Sequence, residues 1–197
     1  VDNLMDLTHI PFIHRSTIGG GNQMGQVQAT MDVTPTETGV HYIRWMENIV
    51  PPPTYVKGAG FDEGTMVDRW QEFEFVVPST VVQWTGALPV DTGAREDRSQ
   101  PGGFSLRLFH GATPRTEDSS YYFWTPLNGY KPGDPEATSS LFKEIAFTFD
   151  EDVEFLEEQQ RCMTDTEGRP LLNIRHDRAR IHANRALDRF ITAQNEL

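Results

Sequence analysis

The stretch Arg69–Val77 confines the middle of this chain to extended structure. It reads R-W-Q-E-F-E-F-V-V, with Glu72 and Glu74 set against Phe73 and Phe75 at a two-residue period. A helix turns about 100° per residue and would scatter these side chains, whereas a pleated strand sorts them onto two faces. Three more segments of the same kind follow: Thr80–Leu88, Phe104–His110 and Ser119–Thr125. Upstream, Gln26–Val33 and Val40–Trp45 flank a turn at Thr36–Gly39 and read as a hairpin.

Helical patterns bracket the strands. Residues 2–14 read as a short helix, with Asp2 or Asn3 as cap and Leu4, Leu7 and Ile10 at helical spacing. Pro11 is expected to kink or end it, because proline lacks the backbone donor and crowds the carbonyl of Leu7. Pro135–Gln160 reads as a long helix, with a break near Phe149–Asp150 as one reading. Leu171 to the C-terminus reads as a second helix, its arginines on a solvated face. Pro51-Pro52-Pro53 marks an extended loop, and the polar stretch Val90–Gly103 a loop with room to move. A helix, antiparallel strands and then helices predict an α+β domain, its curved antiparallel sheet wrapped around a long C-terminal helix in a helix-grip (START-like) arrangement.

Charge and composition remove several function classes. Lys and Arg number 17 against 29 Asp and Glu, a net charge of -12, and such a surface repels a phosphate backbone. Nucleic acid is therefore not an expected partner, and no apolar run reaches the roughly 20 residues of a membrane span. The single cysteine, Cys162, forbids an intrachain disulfide and an iron–sulfur centre within these residues, and fits a reducing cytoplasm.

The chemistry-bearing residues lie at the start of the chain. His9 and His14 stand five apart, with Asp6 one helical turn before His9. Neutral imidazoles joined by a distant carboxylate bind ferrous iron and leave coordination positions open for oxygen. On a straight helix residues five apart diverge by about 140°, so a kink at Pro11 is needed to swing His14 back towards His9. A lone pair of histidines at this spacing is weak, but Asn3, Asp6, Pro11 and a late acidic helix strengthen it. No H-E-x-x-H motif supports a zinc hydrolase. His41, His110, His176 and His182 have no matching partners, and surface or capping roles are expected for them.

The spacing of Asn3, Asp6, His9 and His14 resembles the mononuclear-iron motif of Rieske non-haem iron oxygenases, Asn/Asp-x-x-Asp-x-x-His-x-x-x-x-His. The wording D-N-L-M-D-L-T-H is closer to the vanillate O-demethylase oxygenase branch, with its aromatic-acid and dicamba demethylase relatives. Blocks similar to that branch continue in order at Arg44–Pro53, Asp68–Gln71, Tyr121–Trp124 and Asp150–Gln160. The resemblance implies a mononuclear Fe(II) catalytic domain over residues 1–197, with a Rieske [2Fe-2S] domain expected upstream of Val1. It implies His9, His14 and Asp152 as iron ligands, the register E-D-x-x-x-x-E-x-Q-Q selecting Asp152 over Asp150 and Glu151. Asp6 becomes the inter-subunit electron-transfer residue of a homotrimer, and Asn3 a residue near the open side of the iron.

Gln83 and Tyr121 match positions where the branch places substrate-contacting polar groups, and Leu7 and Phe155 would pack near the iron, so all four are expected to line the substrate site. The implied partners are a small aromatic substrate, O2, and a reductase with or without a ferredoxin, with electrons drawn from NAD(P)H. The implied reaction is O-demethylation of a methoxylated aromatic. Aromatic ring hydroxylation uses the same iron and differs in the carbon that faces the oxidant. A non-catalytic module that grips hydrophobic ligands is the third reading, although such a module has no need of an intact ligand set.

Overall fold

The computed structural model describes residues 1–20, 28–166 and 172–196. At its centre β1 (Thr30–Pro35), β2 (Gly39–Ile49), β3 (Val67–Val76), β4 (Thr80–Pro89), β5 (Phe104–Pro114) and β6 (Ser120–Asn128) pair antiparallel in chain order. The first hairpin forms around Thr36, whose amide donates to the Gly39 carbonyl at 3.0 Å. Gln26 and Val27 of the expected first strand, and Leu171 of the expected last helix, lie outside the described residues.

The strand period does what the alternation requires. On one face Val40, Phe75, Val81, His110 and Trp124 form a row of cross-strand neighbours from β2 to β6. The next row holds Tyr42, Phe73, Gln83, Leu108 and Pro126. Glu72 and Glu74 fall on the opposite face, as a period of two demands.

The expected wrap of the sheet around one helix is not found. The order runs from β1 to β6 without return, so β1 and β6 are edges that do not meet. One register shift, between Met46 and Ile49, interrupts the β2–β3 ladder. Curling a sheet around a helix takes repeated bulges, and the described ladders carry one. Separate elements instead cover the two halves of the inner face. The long helix, α4 (Pro135–Asp165), lays Leu141, Ile145 and Phe149 on Ala87, Phe104, Leu106 and Leu108. Met5, Leu7 and Ile10 from the N-terminal segment, with Ala179 and Ala183 of α5 (Arg178–Asn195), cover Val40, Tyr42, Phe73, Phe75 and Val81. The alanines let α5 approach closely, while Arg175, Arg178, Arg185 and Arg189 stay exposed as expected.

Helix boundaries differ instructively from the sequence reading. The N-terminal segment is two single turns, α1 (Asp2–Met5) and α2 (Ile10–Ile13), and the break falls at Asp6, which is extended (φ -124, ψ 106). Asp6 Oδ1 accepts from Thr8 N at 2.9 Å and Thr8 Oγ1 at 2.8 Å, a side-chain turn that competes with helix. Pro11 sits in the first turn of α2, where its missing N–H would have no partner, so it starts a helix and does not kink one. Val1 occupies the N-cap position of α1 in place of Asp2 or Asn3. The triple proline likewise opens a helix, α3 (Pro53–Ala59), which ends on Gly60 at φ 77. The α4 helix is unbroken through Phe149–Asp150, with Asp134 capping the amides of Glu136 and Ala137.

The loop between β4 and β5 is tied to the sheet. Arg95 pairs with Glu47 at 2.6 Å and lies 4.7 Å above the Trp45 ring, and Arg98 pairs with Glu72. Ala94 is buried with Trp45, Trp70 and Leu88. Among the described residues no helix is long and apolar enough to cross a membrane.

Candidate metal centre

The seam between the two halves of the core is where the N-terminal segment meets α4. His9 and His14 flank the single turn α2, and their ring centroids lie 5.4 Å apart. Gly19 folds back behind this turn, its amide donating to the His14 carbonyl at 2.7 Å. A Cβ there would come within 2.4 Å of the Ile10 carbonyl oxygen, so only glycine permits the approach. Asp152, on the buried side of α4, arrives from the opposite wall. Its Oδ1 lies 3.1 Å from His14 Nε2 and 3.6 Å from His9 Nε2. One candidate ligand atom from each of the three residues lies within 4.8 Å of the others, the one such cluster among the described residues. Side-chain reach thus closes the angle that the sequence reading assigned to a backbone kink.

The surroundings set the histidine tautomers. His9 Nδ1 meets the backbone carbonyl of Asp6 at 2.8 Å, and His14 Nδ1 meets Glu151 Oε2 at 2.9 Å. Both partners are pure acceptors, so each Nδ1 carries the proton; in the neutral imidazole Nε2 is left with its lone pair free for a metal, while a protonated His14 donates from Nε2 to Asp152 as well. A proton on His14 or a cation among the three atoms would relieve the crowding of two Nε2 atoms around one carboxylate oxygen. Two neutral nitrogens and one anionic oxygen form the donor set that suits a ferrous ion with open positions, so the residues fit a mononuclear iron. Asn3 Nδ2 donates to Asp152 Oδ1 at 3.1 Å and steadies that carboxylate.

The two imidazoles titrate in opposite directions. Burial holds His9 below the ordinary histidine range, more than Asp152 raises it. Burial also works against charge on His14, but its hydrogen bonds to Asp152 and Glu151 outweigh that and hold it above the ordinary range. A metal must displace the His14 proton, since a protonated nitrogen has no lone pair to give. Apparent Fe(II) affinity should therefore rise with pH, and below the His14 midpoint fall by up to about tenfold per unit. Anaerobic titrations at pH 6 and pH 8 check this; equal affinities would show that no proton is displaced.

The remaining predicted residues separate. Gln83 is buried on the inner face and accepts from His110 Nε2 at 3.1 Å. Leu7 is buried against the sheet, its carbonyl accepting from Arg44 Nη1 at 3.2 Å. Tyr121 is 54% exposed, with Arg115 over its ring, and Phe155, one turn beyond Asp152, is 48% exposed. The Asp6 carboxylate serves the Thr8 turn, and its backbone carbonyl is the group aimed at His9.

His110 corrects the surface or capping role expected for it. It is 1% exposed, accepts at Nδ1 from the Tyr122 hydroxyl at 2.6 Å, and packs edge-on to Phe149. Burial pushes it down to about 4, despite the opposing charge of Asp152, so it is neutral. The sequence carried a signal for this pair: continuing the alternation of Phe104–His110 puts His110 on the inner face with Leu106 and Leu108. The same parity on β6 sends Tyr122 and Trp124 inward and Tyr121 and Phe123 outward.

The vanillate O-demethylase oxygenase C-terminal domain family matches residues 1–193. The vanillate O-demethylase oxygenase subunit of Pseudomonas sp. (strain ATCC 19151) is 32% identical over 202 residues, covering 98% of this chain and 59% of that protein. The toluene-4-sulfonate monooxygenase system iron-sulfur subunit of Comamonas testosteroni is 29% identical, covering 99% of this chain and 56% of that protein. In three dimensions, dicamba monooxygenase bound to 3,6-dichlorosalicylic acid superposes with a TM-score of 0.81 at 21% identity. That comparison covers 98% of this chain and 55% of the other, and it establishes a shared fold. The chain spans little more than half the length of these relatives.

Proposed function

The chain belongs to the vanillate O-demethylase oxygenase C-terminal domain family, within the Rieske-type non-haem iron oxygenases, and from that premise we infer that His9, His14 and Asp152 hold a catalytic Fe(II). The observation that carries the reading is the convergence of two Nε2 atoms on one buried carboxylate oxygen. Iron bound there would supply O2 activation, with electrons from NAD(P)H delivered by a reductase, with or without a ferredoxin, through a Rieske [2Fe-2S] domain in the part of the protein that the longer relatives possess. The favoured reaction is O-demethylation of a methoxylated aromatic, supported by the similarity to the vanillate O-demethylase subunit. One methoxy carbon leaves as formaldehyde, the phenol remains, one oxygen atom goes to water, and one NAD(P)H is consumed.

The chain's own residues position and exclude. Asn3 fixes the Asp152 carboxylate, and the Asp6 carbonyl fixes His9. Leu7, Leu108 and Phe149, buried in the two core clusters beside the metal centre, would supply the apolar side of an aromatic-ring site. Gln83 would orient the substrate's polar group, with neutral His110 and Tyr122 completing its hydrogen-bond chain. Phe155, about half exposed, would meet substrate only at the mouth of the site, whereas Tyr121 stands on the outward face of β6 and is given no substrate contact. Asp6 is assigned the electron-transfer role between subunits of a homotrimer.

The test uses the full-length protein with its reductase and a methoxylated benzoate. Formaldehyde should appear in step with NAD(P)H oxidation; a ring-hydroxylated product without formaldehyde would overturn demethylation in favour of ring hydroxylation. In the same assay Asp6→Asn should keep its iron, because the amide oxygen can still accept from Thr8. Its turnover should drop by about 10–100-fold. Near-normal turnover would remove Asp6 from the electron route.

A further inference from the structure

Glu151 and Asp152 are consecutive on α4, and neighbouring helical residues diverge by about 100°. Both nevertheless reach one imidazole. His14 Nδ1 lies 2.9 Å from Glu151 Oε2, while Nε2 of the same ring lies 3.1 Å from Asp152 Oδ1. The two nitrogens occupy opposite flanks of the ring, so His14 bridges adjacent side chains of one helix. Turning the ring over about its Cβ–Cγ bond would break both contacts. His9 is held less firmly, by the neutral carbonyl of Asp6. Asp150, the third acid of the run, is exposed.

We propose that Glu151 is the positioning residue of the metal centre. It holds His14 in the Nδ1–H tautomer with Nε2 facing the ion, and its negative charge makes His14 a stronger donor than His9. The arrangement couples the two walls of the site: the helix that delivers the carboxylate ligand also orients a ligand from the N-terminal segment. Removing the Glu151 carboxylate frees the ring to rotate and to present either nitrogen. An outer partner of this kind is worth about 10–100-fold in metal affinity. The proposal rests on the metal-centre reading given above.

The test is Co(II) titration of the metal-free chain in four forms: wild type, E151A, E151Q and D150A. Calorimetry reads affinity, the visible absorption of bound cobalt reads ligand geometry, and nitrogen NMR of His14 reads its tautomer. E151A should weaken binding by about 10–100-fold, shift the cobalt bands and mix the His14 tautomers. E151Q keeps an acceptor oxygen, so it should retain the wild-type bands while losing a smaller part of the affinity. D150A should match wild type. E151A with wild-type affinity, bands and tautomer would overturn the proposal and leave the metal centre standing. No cobalt binding by wild type would overturn both. Should E151A fail to fold, E151Q decides: wild-type affinity overturns the proposal, and weakened binding with unchanged bands supports it.

Discussion

Asp152→Ala should leave a folded chain that retains no iron. Asp152 is the only anionic donor in the cluster, and both Nε2 atoms converge on its Oδ1. Alanine removes that charge and also strands the Asn3 amide, which donates to the same oxygen. Two imidazoles alone are a poor site for Fe(II), a borderline ion that a set of two nitrogens and one carboxylate oxygen suits best. The loss should exceed the roughly 10–100-fold typical of outer-shell changes. Metal analysis after anaerobic Fe(II) loading should fall from about one iron per chain to background. Folding should survive, because Asp152 contributes a polar group at the seam and no apolar area to either core cluster. Full iron occupancy in the variant would remove Asp152 from the ligand set.

Phe104→Ala should produce the largest stability loss, about 3–5 kcal/mol. Phe104 is 1% exposed and stacks between two rings, Tyr55 at 4.1 Å and Tyr130 at 4.8 Å. It pairs with Ala87 across the strands, and α3 presses on it so closely that a Cβ on Gly58 would meet its ring at 2.7 Å. The rings on either side are anchored by hydrogen bonds, Tyr55 to Thr85 at 2.7 Å and Tyr130 to the Ala137 carbonyl at 3.4 Å. Neither can slide in to fill the gap, so a cavity should persist. Domains of this size hold about 5–15 kcal/mol in all, so about a fifth or more of that reserve should vanish. Urea titration followed by circular dichroism checks the value. A loss below about 1 kcal/mol would mean that the stack collapses onto the vacancy.

Much of the sheet was legible because its signal is local. Alternation at Arg69–Val77 and its successors placed the strands to within a few residues, and the turn at Thr36–Gly39 placed the first hairpin. The prolines misled because the same residue has two effects. Pro11 and Pro53 break a helix from within but favour its first turn, and the choice depends on neighbours the local pattern does not weigh. The break at Asp6 came from a side-chain turn to Thr8, which periodicity does not register.

By itself the sequence determined the family, the order of the elements and the three residues that could meet around one ion. Periodicity carries the element order and the histidine spacing, while the resemblance to the family's motif blocks carries the family and the choice of Asp152. Only the tertiary structure decided that the sheet stays open, since alternation says which face is apolar and not what covers it. It also divided the acids of α4, giving Asp152 to one nitrogen of His14 and Glu151 to the other. And it moved His110 from the expected surface into the interior beside Gln83 and Tyr122. Each of these depends on contacts between residues far apart in the chain, where packing and the pairing of buried polar groups select among arrangements that local patterns leave equal.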